Sequence, residues 1–276
     1  MTAPAARGTA ADRAPAPPVR FGYADTPRGQ VHYAECGTGS PVVLLHQTPR
    51  SWDEFREVLP LLGRTHRAIA MDTIGFGASA PVAEHSIETY AATVVDFLDA
   101  LGLGEVALVG HHTGGVIAVE VAARAPDRVG ALVLSSTPYV DAWAREARRH
   151  RPPIDAVEPD PDGAHLAELW RRRRPYYPPG RPDLLTRFVR DALVLGEDVE
   201  RGHEAVGRYR MEERVGLVRC PTLCVGASAD PFTAPDLQNL SSQLNTSRVA
   251  VIDGGMIPLM EQRPAEVCEL IARFLS

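Results

Sequence analysis

Hydrophobic positions along the chain follow two alternating patterns from about residue 20 onwards. Short apolar runs bounded by glycine or proline predict β-strands at residues 31–36, 42–45, 66–71, 106–109 and 131–134. Apolar side chains three or four positions apart predict amphipathic helices at residues 52–62, 86–103 and 114–124. Because helices that alternate with strands cover both faces of a parallel sheet, the pattern predicts an α/β fold with a mostly parallel, twisted sheet flanked by helices.

The alternation of strands and helices stops after Pro138. The next segment is rich in Arg, Pro and Tyr and shows no strand pattern, which predicts an inserted helical cap. Strand patterns then return at residues 221–225 and 248–252, separated by a helix near residues 236–244 and followed by a closing helix at residues 264–274.

These changes of pattern predict how the chain is divided. We expect an α/β core formed by residues 20–138 and 214–276, with residues 139–213 as the helical cap. Residues 1–19 are mostly Ala, Pro, Gly and Thr without apolar periodicity, so they are predicted to form a disordered tail.

The composition is that of an ordinary globular protein, with 45% hydrophobic and 23% charged residues. A net charge of -6 gives no electrostatic reason to bind nucleic acid or an acidic membrane. No apolar run is long enough to span a bilayer, and no apolar segment resembles a signal peptide. The sequence therefore predicts a cytoplasmic protein with neither nucleic-acid nor membrane partners.

The residue types present also limit the cofactor chemistry. The chain contains no lysine, which removes Schiff-base catalysis and covalently bound pyridoxal phosphate. The four cysteines are scattered and lack the spacing of a zinc or redox motif, so we expect reduced core thiols: Cys36, Cys220, Cys224 and Cys268. The prediction is a protein with no cofactor and no metal site.

One short motif carries the candidate chemistry. Residues 110–115 read Gly-His-His-Thr-Gly-Gly and lie between a predicted strand and an apolar helix. This strand, sharp turn and helix form a nucleophile elbow, whose glycines leave room for tight packing around the turn. The elbow position that normally holds Ser, Cys or Asp holds His112.

The elbow occurs together with two other motifs. The strand before it ends in His-Gln-Thr-Pro at residues 46–49, and Asp-Thr-Ile-Gly-Phe-Gly-Ala-Ser occupies residues 72–79. With these motifs the chain resembles the α/β-hydrolase family over about residues 20–276. The resemblance implies a triad whose acid follows the strand after the cap, here Asp230, and whose histidine follows the last strand, where Met256 stands. The triad is therefore predicted to be degenerate.

These replacements change the chemistry that the site can perform. Without Ser, Cys or a carboxylate at the elbow, a covalent enzyme intermediate there is disfavoured. Histidine suits general acid/base work, because its ordinary pKa of about 6.5 lies near neutral pH. The resemblance also implies an oxyanion hole formed by the backbone N–H of Thr113 and by one near Gln47.

The leading hypothesis is a cofactor-independent enzyme that acts on a small or medium carbonyl compound. With His112 as the base or acid, elimination, decarboxylation, cyclisation and water-assisted hydrolysis all fit. The alternative is a catalytically inactive, ligand-binding member of the fold. The oligomeric state is not predicted by the sequence.

Whether Asp230 still serves the elbow imidazole stays open at this stage. In an ordinary triad, two hydrogen bonds and an imidazole place the acid roughly 7 to 8 Å from the nucleophile. An imidazole attached at the elbow reaches only about half of that distance. Direct contact therefore requires the Asp230 loop to lie closer to His112 than in the ordinary arrangement.

Several other side chains are candidates for the pocket. They comprise two packing histidines, an apolar wall residue and two aromatic residues: His46, His111, Met256, Trp143 and Tyr176. Gln47 replaces the usual glycine and either narrows the pocket or offers its side-chain amide to a substrate. The cap arginines form either a solvated face or a clamp for an anion, so an anionic or an aromatic substrate is compatible with the cap.

Overall fold

The computed structural model describes residues 16–276. Most of the predicted tail, residues 1–15, lies outside the described residues. The first strand begins at Arg20, and eight strands follow one another along the chain: β1 (Arg20–Thr26), β2 (Gly29–Cys36), β3 (Pro41–Leu45), β4 (Arg67–Met71), β5 (Val106–His111), β6 (Val129–Ser135), β7 (Thr222–Ala227) and β8 (Ser247–Ile252).

The strands form one sheet in the order β1-β2-β4-β3-β5-β6-β7-β8. β2 pairs antiparallel with β1 and β4, and all remaining pairs from β4 to β8 are parallel. The mostly parallel sheet predicted from the sequence is confirmed. β1 was not predicted as a strand, because an edge strand that buries only Ala24 carries no apolar run.

Ten α-helices accompany the sheet in the described part of the chain. They are α1 (Val58–Leu62), α2 (Ile87–Ala100), α3 (Thr113–Arg124), α4 (Ala142–Arg149), α5 (Ala164–Arg173), α6 (Pro182–Leu195), α7 (Arg201–Arg208), α8 (Leu237–Ser242), α9 (Leu259–Gln262) and α10 (Pro264–Leu275). The single helix predicted at residues 52–62 is instead a 3-10 turn (Trp52–Phe55) followed by the short α1.

The helices cover both faces of the sheet, as predicted. One buried cluster joins α2 and α3 to one face through residues such as Phe97 and Ile117. A second cluster joins α1 and α10 to the other face through residues such as Leu59 and Ile271. The centre of the sheet is therefore buried on both sides, which explains the nearly continuous apolar runs of β3 and β5.

Helices α4 to α7 lie between β6 and β7 and carry a small apolar cluster of their own, which includes Leu184 and Phe188. Their range matches the predicted cap, although the division of the chain into core and cap stays a prediction. Within residues 16–276, no helix combines the length and apolar character needed to cross a membrane.

A buried charge network joins α6 to the segment after β3. The guanidinium of Arg50 is fully buried and lies 2.9 Å from Asp191 on α6 and 2.7 Å from Glu261 on α9. Arg187 on α6 reaches back to Asp53, with 2.7 Å between the charged atoms. These pairs hold α6 against the core beside the carboxyl ends of the parallel strands.

Candidate functional site

His112 occupies the tip of the sharp turn between β5 and α3. Its backbone has φ 47° and ψ -113°, a combination that non-glycine residues rarely adopt. The turn is packed so tightly that a Cβ at Gly114 would lie 1.9 Å from the Leu45 carbonyl oxygen. A Cβ at Gly115 would lie 1.9 Å from the Thr137 hydroxyl. The glycines thus permit the close packing that holds His112 in its strained position.

The His112 imidazole lies directly against Asp230. Its Nε2 is 2.9 Å from Oδ2 of Asp230, and the Asp230 side chain is fully buried. The carboxylate lies off the line of the ring N–H, so this is a close polar contact without an aligned hydrogen bond. The other ring nitrogen, Nδ1, stays accessible and has no partner within residues 16–276. The sequence left open whether Asp230 reaches the imidazole at the elbow. In the structure the two side chains are in direct contact, so no bridging water is needed.

Asp230 is held as a carboxylate. Burial by itself raises its pKa, but the neighbouring His112, the Thr233 hydroxyl and the Phe232 backbone N–H lower the pKa to about 2. The Thr233 hydroxyl donates to Oδ2 at 2.5 Å, and the Phe232 N–H donates to Oδ1 at 2.9 Å. A charged, fixed carboxylate therefore faces the imidazole.

The backbone donors beside the elbow differ in part from those expected. Thr113 is the first residue of α3, so its N–H has no acceptor within the helix. The Gln47 N–H instead donates to Glu54 at 2.8 Å, and its side-chain amide donates to the same carboxylate at 3.3 Å. The Gln47 backbone N–H is thus wrong as an oxyanion donor, and the side-chain amide of Gln47, which lines the cavity, is bonded to Glu54.

The next residue supplies the free donor. The Thr48 N–H makes no hydrogen bond to any other described residue. The Thr48 hydroxyl lies 2.7 Å from the Thr113 hydroxyl, which holds the two segments together. Thr48 and Thr113 therefore lie side by side, and neither backbone N–H has an acceptor among the described residues.

The two packing histidines do not line the cavity. His111 is fully buried and its Nδ1 donates to Glu54. Burial lowers the pKa of His111, while its hydrogen bond helps to lower the pKa of buried Glu54 to about 2. His46 accepts the Thr73 N–H at Nε2 over 3.0 Å and contacts the Gln47 carbonyl at Nδ1 over 2.7 Å. Both rings are committed to structural hydrogen bonds behind the elbow, which corrects their prediction as pocket residues.

A cavity of about 720 Å³ separates the elbow from helices α4 to α7. Its core wall includes Thr48, His112, Thr113 and Ile257, and Tyr176 lines the opposite wall as predicted. The lining does not include Met256 or Trp143. Trp143 is 78% exposed, because α4 turns it to solvent, and Ile257 takes the wall position expected of Met256. No cluster of three potential metal-ligating side chains was found within residues 16–276.

A second imidazole in this cavity was not predicted from the sequence. His203 on α7 lines the cavity, and its Nε2 lies 2.8 Å from Oδ2 of buried Asp155. Burial raises the pKa of Asp155, but Arg173 and His203 lower it to about 2. The two residues are 48 positions apart and belong to no motif. A His within a charged helical segment is the only sequence feature at this position, and it predicts no contact with Asp155.

The chain is similar to known proteins in sequence and in fold. The family described as the alpha/beta hydrolase fold matches residues 40–197. The chain is 36% identical over 118 residues to bifunctional epoxide hydrolase 2 of Sus scrofa, covering 41% of this chain and 21% of that protein. It is 41% identical over 105 residues to 2-hydroxy-6-oxo-2,4-heptadienoate hydrolase of Pseudomonas putida. That match covers 36% of this chain and 38% of that protein. These matches thus span well under half of either relative.

Solved structures extend the likeness of fold over nearly the whole chain. The crystal structure of bromoperoxidase from Bacillus anthracis superimposes with a TM-score of 0.78 and 21% sequence identity. The superposition covers 93% of this chain and 99% of that one. At this level of identity the likeness concerns the fold alone.

Proposed function

Because this chain belongs to the α/β-hydrolase fold family, we propose that it is a hydrolase-type enzyme that replaces nucleophilic catalysis by general acid/base catalysis at His112. Its substrate in this proposal is a small or medium carbonyl compound. A covalent enzyme intermediate is disfavoured in this proposal, because position 112 carries no hydroxyl, thiol or carboxylate.

The observation that carries the proposal is the 2.9 Å contact between His112 and Asp230 at the tip of the elbow. A carboxylate beside Nε2 favours the tautomer that carries its proton there, which leaves the Nδ1 lone pair free. The accessible Nδ1 is then the atom that accepts a proton. The carboxylate also stabilises the imidazolium that forms.

The Thr48 and Thr113 N–H groups supply the complementary half of the site. Neither has an acceptor within residues 16–276, and the Thr113 N–H lies at the N-terminus of the twelve-residue helix α3. Partial positive charge at a helix N-terminus favours a developing oxyanion. A substrate carbonyl oxygen held by these two groups would become more electrophilic, and its oxyanion or enolate would be stabilised.

Hydrolysis is the reaction that the relatives' names favour among those compatible with this site. Nδ1 of His112 removes a proton from water, and the resulting hydroxide adds to the carbonyl carbon. The carbonyl electron pair moves to the oxygen held by Thr48 and Thr113. When the carbonyl reforms, the bond to the leaving group breaks and the imidazolium returns the proton to it. Both curated relatives are named as hydrolases.

A substrate panel tests the proposal. Esters, lactones and β-keto carbonyl compounds are incubated with the wild type and with His112→Ala, whose folding is checked by circular dichroism. We expect at least one conversion by the wild type that falls by roughly 10²–10⁴-fold in the variant. If every wild-type conversion survives the substitution, His112 is not the base. If the wild type binds panel compounds without converting any, the ligand-binding alternative replaces this proposal.

A further inference from the structure

The charges around the cavity are unbalanced. Two glutamates line the wall, Glu200 and Glu204, together with six arginines: Arg148, Arg149, Arg151, Arg172, Arg173 and Arg208. Glu200 is already engaged, because it accepts the backbone N–H groups of Asp155 and Ala156. The lining therefore carries an excess of positive charge in a chain whose net charge is -6.

Four of the six arginines have carboxylate partners. They are Arg149 with Glu146 at 3.1 Å, Arg172 with Glu168 at 2.8 Å, Arg208 with Glu204 at 3.6 Å, and Arg173 with Asp155. Arg148 and Arg151 have no carboxylate within 4.0 Å among the described residues. These two guanidinium groups are the unneutralised charges of the cavity wall.

Arg148 is the more unusual of the two, because its Nη1 is buried and has no hydrogen-bond partner within residues 16–276. Burial and the nearby Arg151 lower the pKa of Arg148. The carboxylates of Asp141 and Asp236 act on this pKa in the opposite direction, but each also accepts a backbone N–H, from Ala144 and Tyr139 respectively. A buried charged donor without an acceptor is costly, and an anion from solution would remove that cost.

We propose that the cavity binds a substrate with an anionic group, a carboxylate or a phosphate, held by Arg148 and Arg151. Planar guanidinium groups match the geometry of both anions. The apolar lining residues contact the carbon skeleton: Pro138, Pro152, Ile154, Phe232 and Ile257. The placement of the substrate carbonyl at His112 rests on the function proposed above, whereas the anion site does not depend on it.

Binding of three matched probes tests the anion site. They are 3-phenylpropionate, its neutral methyl ester and phenyl phosphate, each titrated calorimetrically into the wild type, Arg148→Gln and Arg149→Gln. Arg149 is the matched control, because it lines the same wall but is 73% exposed and paired with Glu146. We expect Arg148→Gln to weaken binding of at least one anion by about 10- to 100-fold. Arg149→Gln should change its affinity less than about threefold.

The neutral ester separates charge recognition from simple filling of the cavity. Its affinity should be the same in the wild type and in Arg148→Gln. Comparing the carboxylate with phenyl phosphate identifies the anion. The inference would be overturned if Arg148→Gln and Arg149→Gln lost equal anion affinity, or if Arg148→Gln left the anion affinities unchanged.

His112→Ala distinguishes this inference from the proposed function. Anion binding that depends on Arg148 and persists in His112→Ala, together with a wild type that converts no carbonyl compound, supports the anion site and rejects the catalytic role. Turnover that requires His112 but does not distinguish charged from neutral substrates, or respond to Arg148→Gln, rejects the anion site alone.

Discussion

Nε2 of His112 lies 2.9 Å from Oδ2 of Asp230, although the two residues are separated by the whole of helices α4 to α7 in sequence. The elbow places one partner and the turn after β7 places the other. An imidazole attached at the elbow therefore contacts the carboxylate at the position predicted for the triad acid. In the proposed reaction, His112 takes over the proton transfer for which the chain has no histidine at position 256.

The contact predicts different losses for its two members. His112→Ala removes the proposed base and should lower kcat/KM by roughly 10²–10⁴-fold. Asp230→Asn keeps the His112 ring but removes the carboxylate charge that favours a free Nδ1 lone pair. We therefore expect a smaller loss of kcat/KM and a shifted pH profile. Steady-state kinetics across pH 5–9 measure both. Ser228→Ala, in the same loop but bonded to Asp253, is the control and should be near wild type.

Rebuilding the ordinary triad tests whether His112 and Met256 occupy the positions of the nucleophile and the catalytic histidine. A serine-directed fluorophosphonate should not label the wild type, because the nucleophile position of the elbow holds His112 and carries no hydroxyl. The double variant His112→Ser, Met256→His should be labelled, since Asp230 stays in place to orient the new imidazole. Each single substitution is the control and should stay unlabelled. Labelling of the wild type, detected by gel fluorescence, would contradict the assignment of the elbow.

The depressed pKa of Asp230 predicts a dependence of stability on pH. The pKa is about 2 in the folded protein against 3.8 for an ordinary Asp. The folded state thus binds this proton more weakly, so the stabilisation is present above about pH 4 and is lost as the pH falls towards 2. Its size is about 2 kcal/mol for a fully buried group.

Urea unfolding of the wild type and Asp230→Asn between pH 6 and pH 2.5 measures this dependence. The difference in unfolding free energy between the two proteins should shrink as the pH falls. A difference that stays constant over the whole range would mean that Asp230 has an ordinary pKa in the folded state.

The buried network around Arg50 predicts a large loss of stability. Arg50→Met leaves Asp191 and Glu261 buried without their main counter-charge, which should cost about 3–5 kcal/mol in the free energy of unfolding. Arg56→Met is the matched control, because Arg56 also pairs with an acid of this network, Asp53, but is 50% exposed. It should cost less than about 1 kcal/mol. Chemical denaturation measures the unfolding free energy of both variants. Equal losses of stability would mean that the burial of Arg50 does not make its ion pairs more important than an exposed one.

The sequence by itself determined the features that depend on local order along the chain. The strand, turn and helix around residues 110–115 identified His112, because an elbow is specified by neighbouring residues. The alternation of short apolar runs with helical patterns predicted the mostly parallel sheet, because strands buried on both faces are apolar throughout and helices bury one face every three or four positions. Asp230 was located by its place after β7.

Only the tertiary structure decided which hydrogen bonds and ion pairs form between residues that are distant in sequence. Thr48 rather than Gln47 has the free N–H because the Glu54 carboxylate folds back onto Gln47. Asp155 and His203 meet although no motif joins them. Hydrogen bonds and burial depend on positions within a few ångströms, and residues far apart in sequence reach those positions only when the chain has packed. The same packing closes the gap between His112 and Asp230, which the sequence left open.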